Sequence, residues 1–366
     1  MQDLDACSSI SGRALILLAM AAIRGRVPDE IEAALKACDP VDLAKSAQAH
    51  QVHTMVGHVF ARHAELSGAV PRDLKVFFLA MYTANQKRLS EGLSQLRSIG
   101  SIFSAANIPA VALKGGGDML EPLHPDPAMR FVADLDILVP SGYVSRAERL
   151  LFDELDAMQP YEKLSEDSDL NWRGERVPEH HLPKLTAENW QFPVELHRLV
   201  GSGKMADLLP AEIVIGRSTP TSIPGVSIMN PDDRACHLIA HAARHGDAVT
   251  LRAWIDWVRL APMCAGEDVR ARLAQSGFER KLDEFNHVGA YLEKEYVGER
   301  PKNEVVRSAL SAFGDAPIKR RRGALELVAS RLRTIFVSAK YRQHIALEMT
   351  SWRWWERVWS TLRRDD

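Results

Sequence analysis

Apolar positions recur every three or four residues over the first hundred residues of the chain. Leu, Ile, Val and Met follow this spacing from about residue 10 to 105, in stretches rich in Ala and poor in Gly. This is the period of an amphipathic helix, and Pro28, Pro40 and Pro71 mark the loops between helices. The pattern predicts a helical N-terminal domain over residues 1–105.

The pattern changes between residues 106 and 205, where short apolar runs are separated by turn residues. It predicts a strand over 109–114, a glycine loop with a short helix, a strand over 131–139 and a helix from about 141 to 157. A polar loop then leads to a hairpin whose second arm is 191–200. We therefore predict an α+β fold, in which a small mixed-sheet core is flanked by N-terminal and C-terminal helical regions.

The remaining segment, 206–366, is predicted to be mainly helical. Asn230 is a typical N-cap residue, Pro231 suits the first helical turn, and Asp232 and Asp233 favour a helix N-terminus. The helix that they open should end at Gly246.

The chain ends in a basic, tryptophan-rich segment. Residues 319–364 contain twelve Lys or Arg against three Glu, and Trp352, Trp355 and Trp359 lie on an apolar stripe of helical spacing. We interpret it as a terminal helix that packs its tryptophans on the domain. Peripheral contact with an anionic membrane surface or with a polyanion are alternatives, but no motif for RNA or DNA is present, so nucleic acid is not an expected partner.

Composition indicates an ordinary globular protein, with 46% hydrophobic and 26% charged residues and a net charge of −2. The four cysteines, Cys7, Cys38, Cys236 and Cys264, show no paired spacing, which argues against a disulfide framework or a zinc knuckle. The apolar run 14–23 is too short to cross a bilayer. We expect a cytoplasmic location.

The chemistry is concentrated in two neighbouring runs. The first ends in Lys114, Gly115, Gly116 and Gly117, and glycines at this position let the backbone approach a phosphate closely. The second, 130–139, carries Asp134 and Asp136 between β-forming residues. Because side chains alternate along a strand, both carboxylates should face the same side and form a magnesium site.

Phosphoryl and nucleotidyl transfer commonly use two divalent ions held by carboxylates. Asp134 and Asp136 supply two, and Glu195 is the best third candidate because it lies between apolar Val194 and Leu196, where an unpartnered charge is unfavourable. The expected cofactor is a pair of Mg²⁺ ions, with Mn²⁺ as a possible substitute. An ion pair of Glu195 with Arg198 or Arg130 is the structural alternative.

The order of these motifs resembles the bacterial family of uncharacterised nucleotidyltransferases, within the DNA polymerase β-like superfamily. The resemblance covers roughly residues 100–260. The motifs that carry it are Leu113-Lys-Gly115, Pro125-Asp-Pro127 with Arg130, Asp134-x-Asp136-x-Leu-Val, Val194-Glu-Leu-His197 and His241-Ala-Ala-Arg-His245-Gly. It implies a nucleotidyltransferase core over 106–205.

The resemblance also implies roles for individual residues. Gly115 and Gly116 would line the phosphate loop, Asp134 and Asp136 would bind both metals, and Glu195 would complete the metal site on the acceptor side. We add Gly117 to the nucleotide-binding set. Lys114 and Arg130 are candidates for balancing the triphosphate, although Lys114 could be a surface residue and Arg130 could pair with Asp134.

Several histidines are further candidates. His197 shares a strand face with Glu195 and could orient it, touch the acceptor or be a core residue. His237, His241 and His245 lie on one helix face, which favours packing or contact with the substrate cleft over zinc binding. Asp256 is expected to cap a helix or to pair with His241 or Arg252.

These observations predict a magnesium-dependent transfer of a nucleoside monophosphate from an NTP to a hydroxyl or phosphate acceptor, with release of pyrophosphate. The acceptor, whether a small molecule, sugar, peptide or protein, is not specified by the sequence. A D-x-D glycosyltransferase that uses a nucleotide sugar and a non-catalytic nucleotide-binding module that recruits a partner are the alternatives.

Overall fold

The computed structural model describes residues 10–158, 180–182, 184–244, 249–293 and 303–312. The N-terminal part consists of helices, as the apolar period predicted. They are α1 (Ile10–Arg24), α2 (Ile31–Ala37), α3 (Pro40–Ala49), α4 (His53–Arg62) and α5 (Arg72–Ala105), with a 3₁₀ turn at Ala64–Gly68. Local chemistry sets where α3 begins, since Asp39 accepts hydrogen bonds from the backbone N–H groups of Val41 and Asp42.

A five-stranded mixed sheet forms the centre. Its strands are β1 (Val111–Ala112), β2 (Leu135–Leu138), β3 (Val194–His197), β4 (Thr219–Pro220) and β5 (Ser227–Ile228). The strand order is β3-β2-β1-β5-β4. β2 runs parallel to β3 and antiparallel to β1, β1 runs parallel to β5, and β4 is antiparallel to β5.

The remaining elements lie between and after the strands in the chain. The core contributes α6 (Lys114–Leu120) and α7 (Val144–Leu155), with 3₁₀ turns at Pro127–Met129 and Ser141–Tyr143. Between β3 and β4 come α8 (Lys204–Leu208) and α9 (Ala211–Gly216). After β5 come α10 (Pro231–Ala243), α11 (Leu251–Leu260), α12 (Gly266–Gln275), α13 (Glu279–Glu293) and α14 (Glu304–Ala312), with a 3₁₀ turn at Ala261–Met263.

Two apolar clusters fix the position of the sheet. One joins the sheet to α5 and α7 and contains Phe103 and Phe192, both fully buried. The other joins the N-terminal helices to α10, α11 and α13 and contains Trp254 and Phe285. The long helix α5 therefore packs its later turns directly against the element that carries the predicted chemistry.

The predicted α+β class is confirmed, with helices on both sides of a mixed sheet in the chain. The hairpin is also present, because Leu185 and His181 form antiparallel bridges with Val194 and His197. The N-cap prediction is confirmed as well, since Asn230 accepts a hydrogen bond from the backbone N–H of Asp233.

The strands are shorter than predicted, and the glycines lie within a helix and not in a separate loop. Lys114 opens α6 with a left-handed backbone (φ 44°), and the N–H of Gly117 donates to the carbonyl of Leu113. This hydrogen bond closes the first turn of α6, and Gly115, Gly116 and Gly117 all lie within the helix.

Some predictions fall outside the described residues. They include the end of α10 at Gly246, His245 and the basic tryptophan-rich segment 319–364. The division of the chain at residues 105 and 205 stays a prediction. Among the helices of the described ranges, none combines the length and apolarity that crossing a bilayer requires.

Candidate active site

Asp136 and Glu195 stand side by side in the parallel strands β2 and β3. Their Cα atoms are register partners, and Leu138 pairs with His197 two positions further along. Because side chains alternate along a strand, Glu195 and His197 lie on the same face of the sheet. Asp136, the register partner of Glu195 on β2, lies on that face as well. The two acidic runs of the sequence, 59 positions apart by number (195 minus 136), thus meet on one face of the sheet.

Asp136 is buried between two cationic groups. Its Oδ1 atom lies 2.7 Å from Nζ of Lys114 and 2.8 Å from Nε2 of His197. Burial alone would raise the pKa of this carboxyl, but the hydrogen bond from His197 and the charge of Lys114 hold its pKa well below the usual range. Asp136 is therefore ionised in the folded protein at neutral pH.

His197 connects the two carboxylates. Its Nε2 atom lies 3.6 Å from Oε2 of Glu195, and its Nδ1 atom lies 3.4 Å from the carbonyl oxygen of Leu199. Although burial lowers the pKa of this imidazole, the hydrogen bonds to Asp136 and Glu195 raise it overall. Acceptors at both ring nitrogens favour the doubly protonated form, which holds the two acids together.

Asp134 lies just before β2 and is joined to Glu195 by a lysine. Nζ of Lys184 lies 2.5 Å from Oδ2 of Asp134 and 3.1 Å from Oε1 of Glu195. The pKa of Glu195 falls to about 2: burial opposes this shift, while His197, His181 and Lys184 favour the carboxylate. Asp134 is more exposed than its two acidic neighbours, with 27% of its side chain accessible.

These groups fit a divalent cation. Oxygen atoms of Asp136 and Glu195 and a ring nitrogen of His197 all lie within 4.8 Å of one another. Since His197 donates to both carboxylates, the carboxylate oxygens are the atoms that could hold the ion, and they are the donors that magnesium prefers. The ammonium group of Lys114 contacts Asp136 and that of Lys184 contacts Glu195. These two lysines supply positive charge at the position that a bound cation would occupy. The three residues within this distance are Asp136, Glu195 and His197. Asp134 is linked to Glu195 by the ion pairs that Lys184 makes with both.

The glycines of α6 are buried against the sheet. A Cβ atom on Gly115 would lie 2.8 Å from Cγ1 of Val132 and 3.2 Å from a guanidinium nitrogen of Arg130, and one on Gly117 would lie 3.1 Å from the carbonyl oxygen of Ala112. Close packing therefore explains two of the three glycines. Their contact with phosphate stays a prediction.

A cavity opens next to Lys114, between α6, α10 and α11, and we call it the α10–α11 cavity. Its volume is about 80 Å³. Its wall combines cationic groups, two histidines and aliphatic side chains. The lining residues that matter for its chemistry are Lys114, Asp118, Arg130, Arg234, His237, His241, Arg252 and Asp256.

A buried ion network forms the floor of this cavity. Nε of Arg130 lies 2.8 Å from Asp118 and 3.1 Å from Asp256. Nε2 of His124 lies 3.0 Å from the other oxygen of Asp256, and Arg234 pairs with Asp118 at 2.7 Å. Burial opposes ionisation of Asp256, but Arg130 and His124 hold its pKa far below the usual range.

The structure thus distinguishes among several interpretations of the sequence. Arg130 pairs with Asp118 and Asp256 and not with Asp134, and Glu195 contacts Lys184 and His197 in place of Arg198 or Arg130. A nucleotide-binding role for Arg130 and for Lys114 stays a prediction.

The histidine face of α10 borders the cavity. His237 and His241 both line it, and their ring centroids lie 5.8 Å apart. Burial lowers the pKa of His237 well below its ordinary value, so this imidazole is neutral at pH 7. The placement agrees with an interpretation of this face as part of a cleft.

Three contributors to the site were missed from the sequence. Lys184, His124 and Arg234 each bind a carboxylate that is at least 50 positions away. Lys184 lies in the first arm of the hairpin, which the sequence pattern did not delimit. His124 and Arg234 carry no local signal, since a single charged residue in a loop or helix is ordinary.

Comparison with known proteins identifies one family. A family model described as uncharacterised nucleotidyltransferase matches residues 36–298, which is more than half of the chain. No curated protein and no solved structure gives a significant match.

Proposed function

The chain belongs to the uncharacterised nucleotidyltransferase family, and from this premise we propose that it transfers a nucleoside monophosphate from an NTP to a hydroxyl or phosphate acceptor. Family membership places the activity among the transferases. The nucleotide, the metal and the acceptor class are our proposals. We further propose that the core shares its ancestry with the DNA polymerase β-like superfamily.

The observation that carries the proposal is the convergence of Asp136 and Glu195 on one face of the sheet. Both are buried and ionised, and Asp134 is held beside them by Lys184. Acidic groups this close repel one another unless cations lie between them. In the folded chain His197, Lys114 and Lys184 supply part of that positive charge.

Magnesium, held by Asp136 and Glu195 with Asp134 nearby, would neutralise charge on the phosphates and lower the pKa of the acceptor oxygen. The protein's own groups then have clear tasks. His197 fixes the orientation of Asp136 and Glu195, and Lys114, at the start of α6, offers an ammonium to a phosphate oxygen. In the proposed reaction an acceptor oxygen bonds to the α-phosphorus while the bond to the bridging oxygen of pyrophosphate breaks. A hydroxyl acceptor gives up its proton to solvent, and pyrophosphate leaves with the bonding electron pair. No covalent intermediate with the protein is required.

The proposal is tested by incubating the full-length protein with Mg²⁺, each NTP in turn and a fractionated metabolite and protein extract as the source of acceptor. Label placed at the α-phosphorus should enter an acceptor as pyrophosphate is released, whereas label at the γ-phosphorus should leave with pyrophosphate. Asp136→Asn and Glu195→Gln should each lose at least about a hundredfold in rate. Glu154→Gln, an exposed change on α7, is the matched control.

Three outcomes contradict the proposal. Transfer of γ-label would indicate a kinase, and consumption of a nucleotide sugar without turnover of any NTP would indicate a glycosyltransferase. Retention of the wild-type rate in both Asp136→Asn and Glu195→Gln would remove the roles assigned to these carboxylates.

A further inference from the structure

The α10–α11 cavity contains two polar groups that lack a hydrogen-bond partner within the described part of the chain. They are Nε of Arg252, on α11, and Nε2 of His237, on α10. His237 is only 6% exposed, and about a quarter of the Arg252 side chain is accessible. Buried donors and acceptors in native proteins are nearly always paired, and although unpaired arginine and histidine nitrogens also occur elsewhere in the described chain, these two line the same charged cavity.

The other charges of the cavity are balanced by near neighbours. Arg130 has Asp118 and Asp256, and Arg234 has Asp118 and Glu121. Within the described residues, the carboxylate that pairs with Arg252 is Asp256, at 3.8 Å, and that carboxylate is already bound by Arg130. Among the described cations of this cavity, Arg252 therefore has the weakest compensation, and its Nε–H offers a hydrogen bond to an anion.

The weakly compensated positive charge in the α10–α11 cavity limits how many negative charges a bound ligand can carry there. The weakly compensated charge is one guanidinium, and this suits a single anionic group such as a phosphate or a carboxylate. Aliphatic side chains, including Leu238 and Leu260, complete the wall. A triphosphate, with several charges, would be poorly solvated against this surface.

The cavity also has the correct position for a second substrate. Lys114 lines it and at the same time contacts Asp136 at 2.7 Å. Resting on the proposed nucleotidyl transfer, we propose that the α10–α11 cavity binds the acceptor, and that this acceptor carries a phosphate or carboxylate group held by Arg252 and His237. The reacting oxygen of the acceptor would then lie towards Lys114 and Asp136.

The test measures anion binding directly, without turnover. Full-length protein is saturated with Mg²⁺ and an ATP analogue that carries a methylene bridge between the α- and β-phosphorus. Inorganic phosphate, and acetate in a separate arm, are then titrated by calorimetry at constant ionic strength. At least one of the two should bind saturably with one site per chain, and the better probe identifies the class of anion.

Two variants locate the site. Arg252→Gln should weaken binding of that anion by about tenfold or more, since it removes a charged hydrogen-bond donor, and His237→Asn should weaken it by a few fold. Arg252→Lys keeps the charge and should bind more tightly than Arg252→Gln. Arg149→Gln, an exposed change on α7, should match the wild type, and melting temperatures verify that each variant is folded.

The results can overturn the proposal in distinct ways. If neither anion binds, or if Arg252→Gln binds like Arg149→Gln, the cavity is not an anion site. If the anion binds only without the ATP analogue and competes with it, the cavity holds the nucleotide phosphates and not the acceptor. Glu195→Gln, whose side chain does not line the cavity, should keep anion binding while it loses nucleotidyl transfer, so the failure of either proposal is recognised separately.

Discussion

Nε2 of His197 lies 2.8 Å from Oδ1 of Asp136, and the histidine side chain is fully buried. Burial alone would keep this imidazole neutral, so its raised pKa depends on the neighbouring carboxylates. Asp136→Asn removes the nearer carboxylate and leaves the opposing charge of Lys114. We expect the pKa of His197 to fall, as measured by an NMR titration of the histidine ring nitrogens. Asp153→Asn, an exposed change on α7, should leave it unchanged, and an unchanged value in Asp136→Asn would contradict the assignment.

Lys184 occupies the space between Asp134 and Glu195, where it competes with any divalent ion for the same oxygens. Lys184→Met removes that competitor, so we expect the protein to bind Mn²⁺ about fivefold more tightly, a change equivalent to roughly 1 kcal/mol. Titration followed by electron paramagnetic resonance measures the free ion. Lys204→Met, at an exposed position in α8, should have no effect. Weaker binding in Lys184→Met would show that the lysine supports the metal site.

Asp256 carries a buried negative charge that Arg130 and His124 share. Asp256→Asn leaves the buried Arg130 guanidinium without this carboxylate and weakens the hydrogen bond to His124, so the free energy of unfolding at pH 7 should fall by about 3–5 kcal/mol. Urea unfolding measures it, and Asp268→Asn on the surface of α12 should change stability by less than about 0.5 kcal/mol.

The lowered pKa of Asp256 also makes the stability of the protein depend on pH in the acidic range. The pKa of Asp256 is lowered in the folded state, so its contribution is present above the pKa of the unfolded chain, near 4, and is lost as the pH falls below that value. The difference in stability between wild type and Asp256→Asn should therefore shrink below about pH 4. A constant difference from pH 7 to pH 3 would contradict this.

His50 links the N-terminal helices to α11, because its Nδ1 atom accepts a hydrogen bond from the N–H of Leu251. Burial lowers the pKa of His50 to about 4, whereas the unfolded chain titrates near 6.5. In this window the unfolded state binds the proton and the folded state does not, so stability falls as the pH drops, by about 3 kcal/mol in total. The pH dependence of unfolding should be shallower in His50→Gln, whereas His287→Gln, exposed on α13, should follow the wild type. Equal slopes in all three proteins would exclude the effect.

Gly115 and Gly116 provide a matched pair for testing the packing of α6. A methyl group on Gly115 would meet Val132 at 2.8 Å, whereas one on Gly116 has no contact nearer than 3.5 Å. Gly115→Ala should destabilise the protein by about 1–3 kcal/mol. Gly116→Ala should be neutral or stabilising by up to about 1 kcal/mol, since alanine favours a helix. Thermal unfolding decides between them, and a larger loss in Gly116→Ala than in Gly115→Ala would refute the packing argument.

The meeting of Asp136 and Glu195 was predictable because each lies between apolar neighbours in a short β-forming run. In that setting a carboxylate is tolerated only if it faces a partner. The position of the Asp134 side chain was harder to predict from the sequence. β2 begins one residue after it, at Leu135, so the alternation of a strand does not govern its side chain, and Lys184 determines where it points.

Other features depended on contacts that local sequence does not encode. Glycine is a poor helix former, so three in a row predicted a loop, yet they lie inside α6, where Val132 and Ala112 leave little room for a side chain at Gly115 and Gly117. Likewise the sequence offered Arg130 as a partner either of the triphosphate or of Asp134. Its partner Asp256 lies 126 positions later, and only the packing of α11 against the core brings the two together.

The parallel ladder between β2 and β3 has a further consequence for how this chain can change in length. The N–H of Leu135 donates to the carbonyl of Pro193, and the N–H of Val139 donates to that of His197. Both ends of β3 are thereby anchored, and inserting one residue within it would turn Glu195 or His197 to the opposite side of the sheet. Relatives should thus tolerate gain or loss of residues between β2 and β3, but hardly any within the four positions of β3.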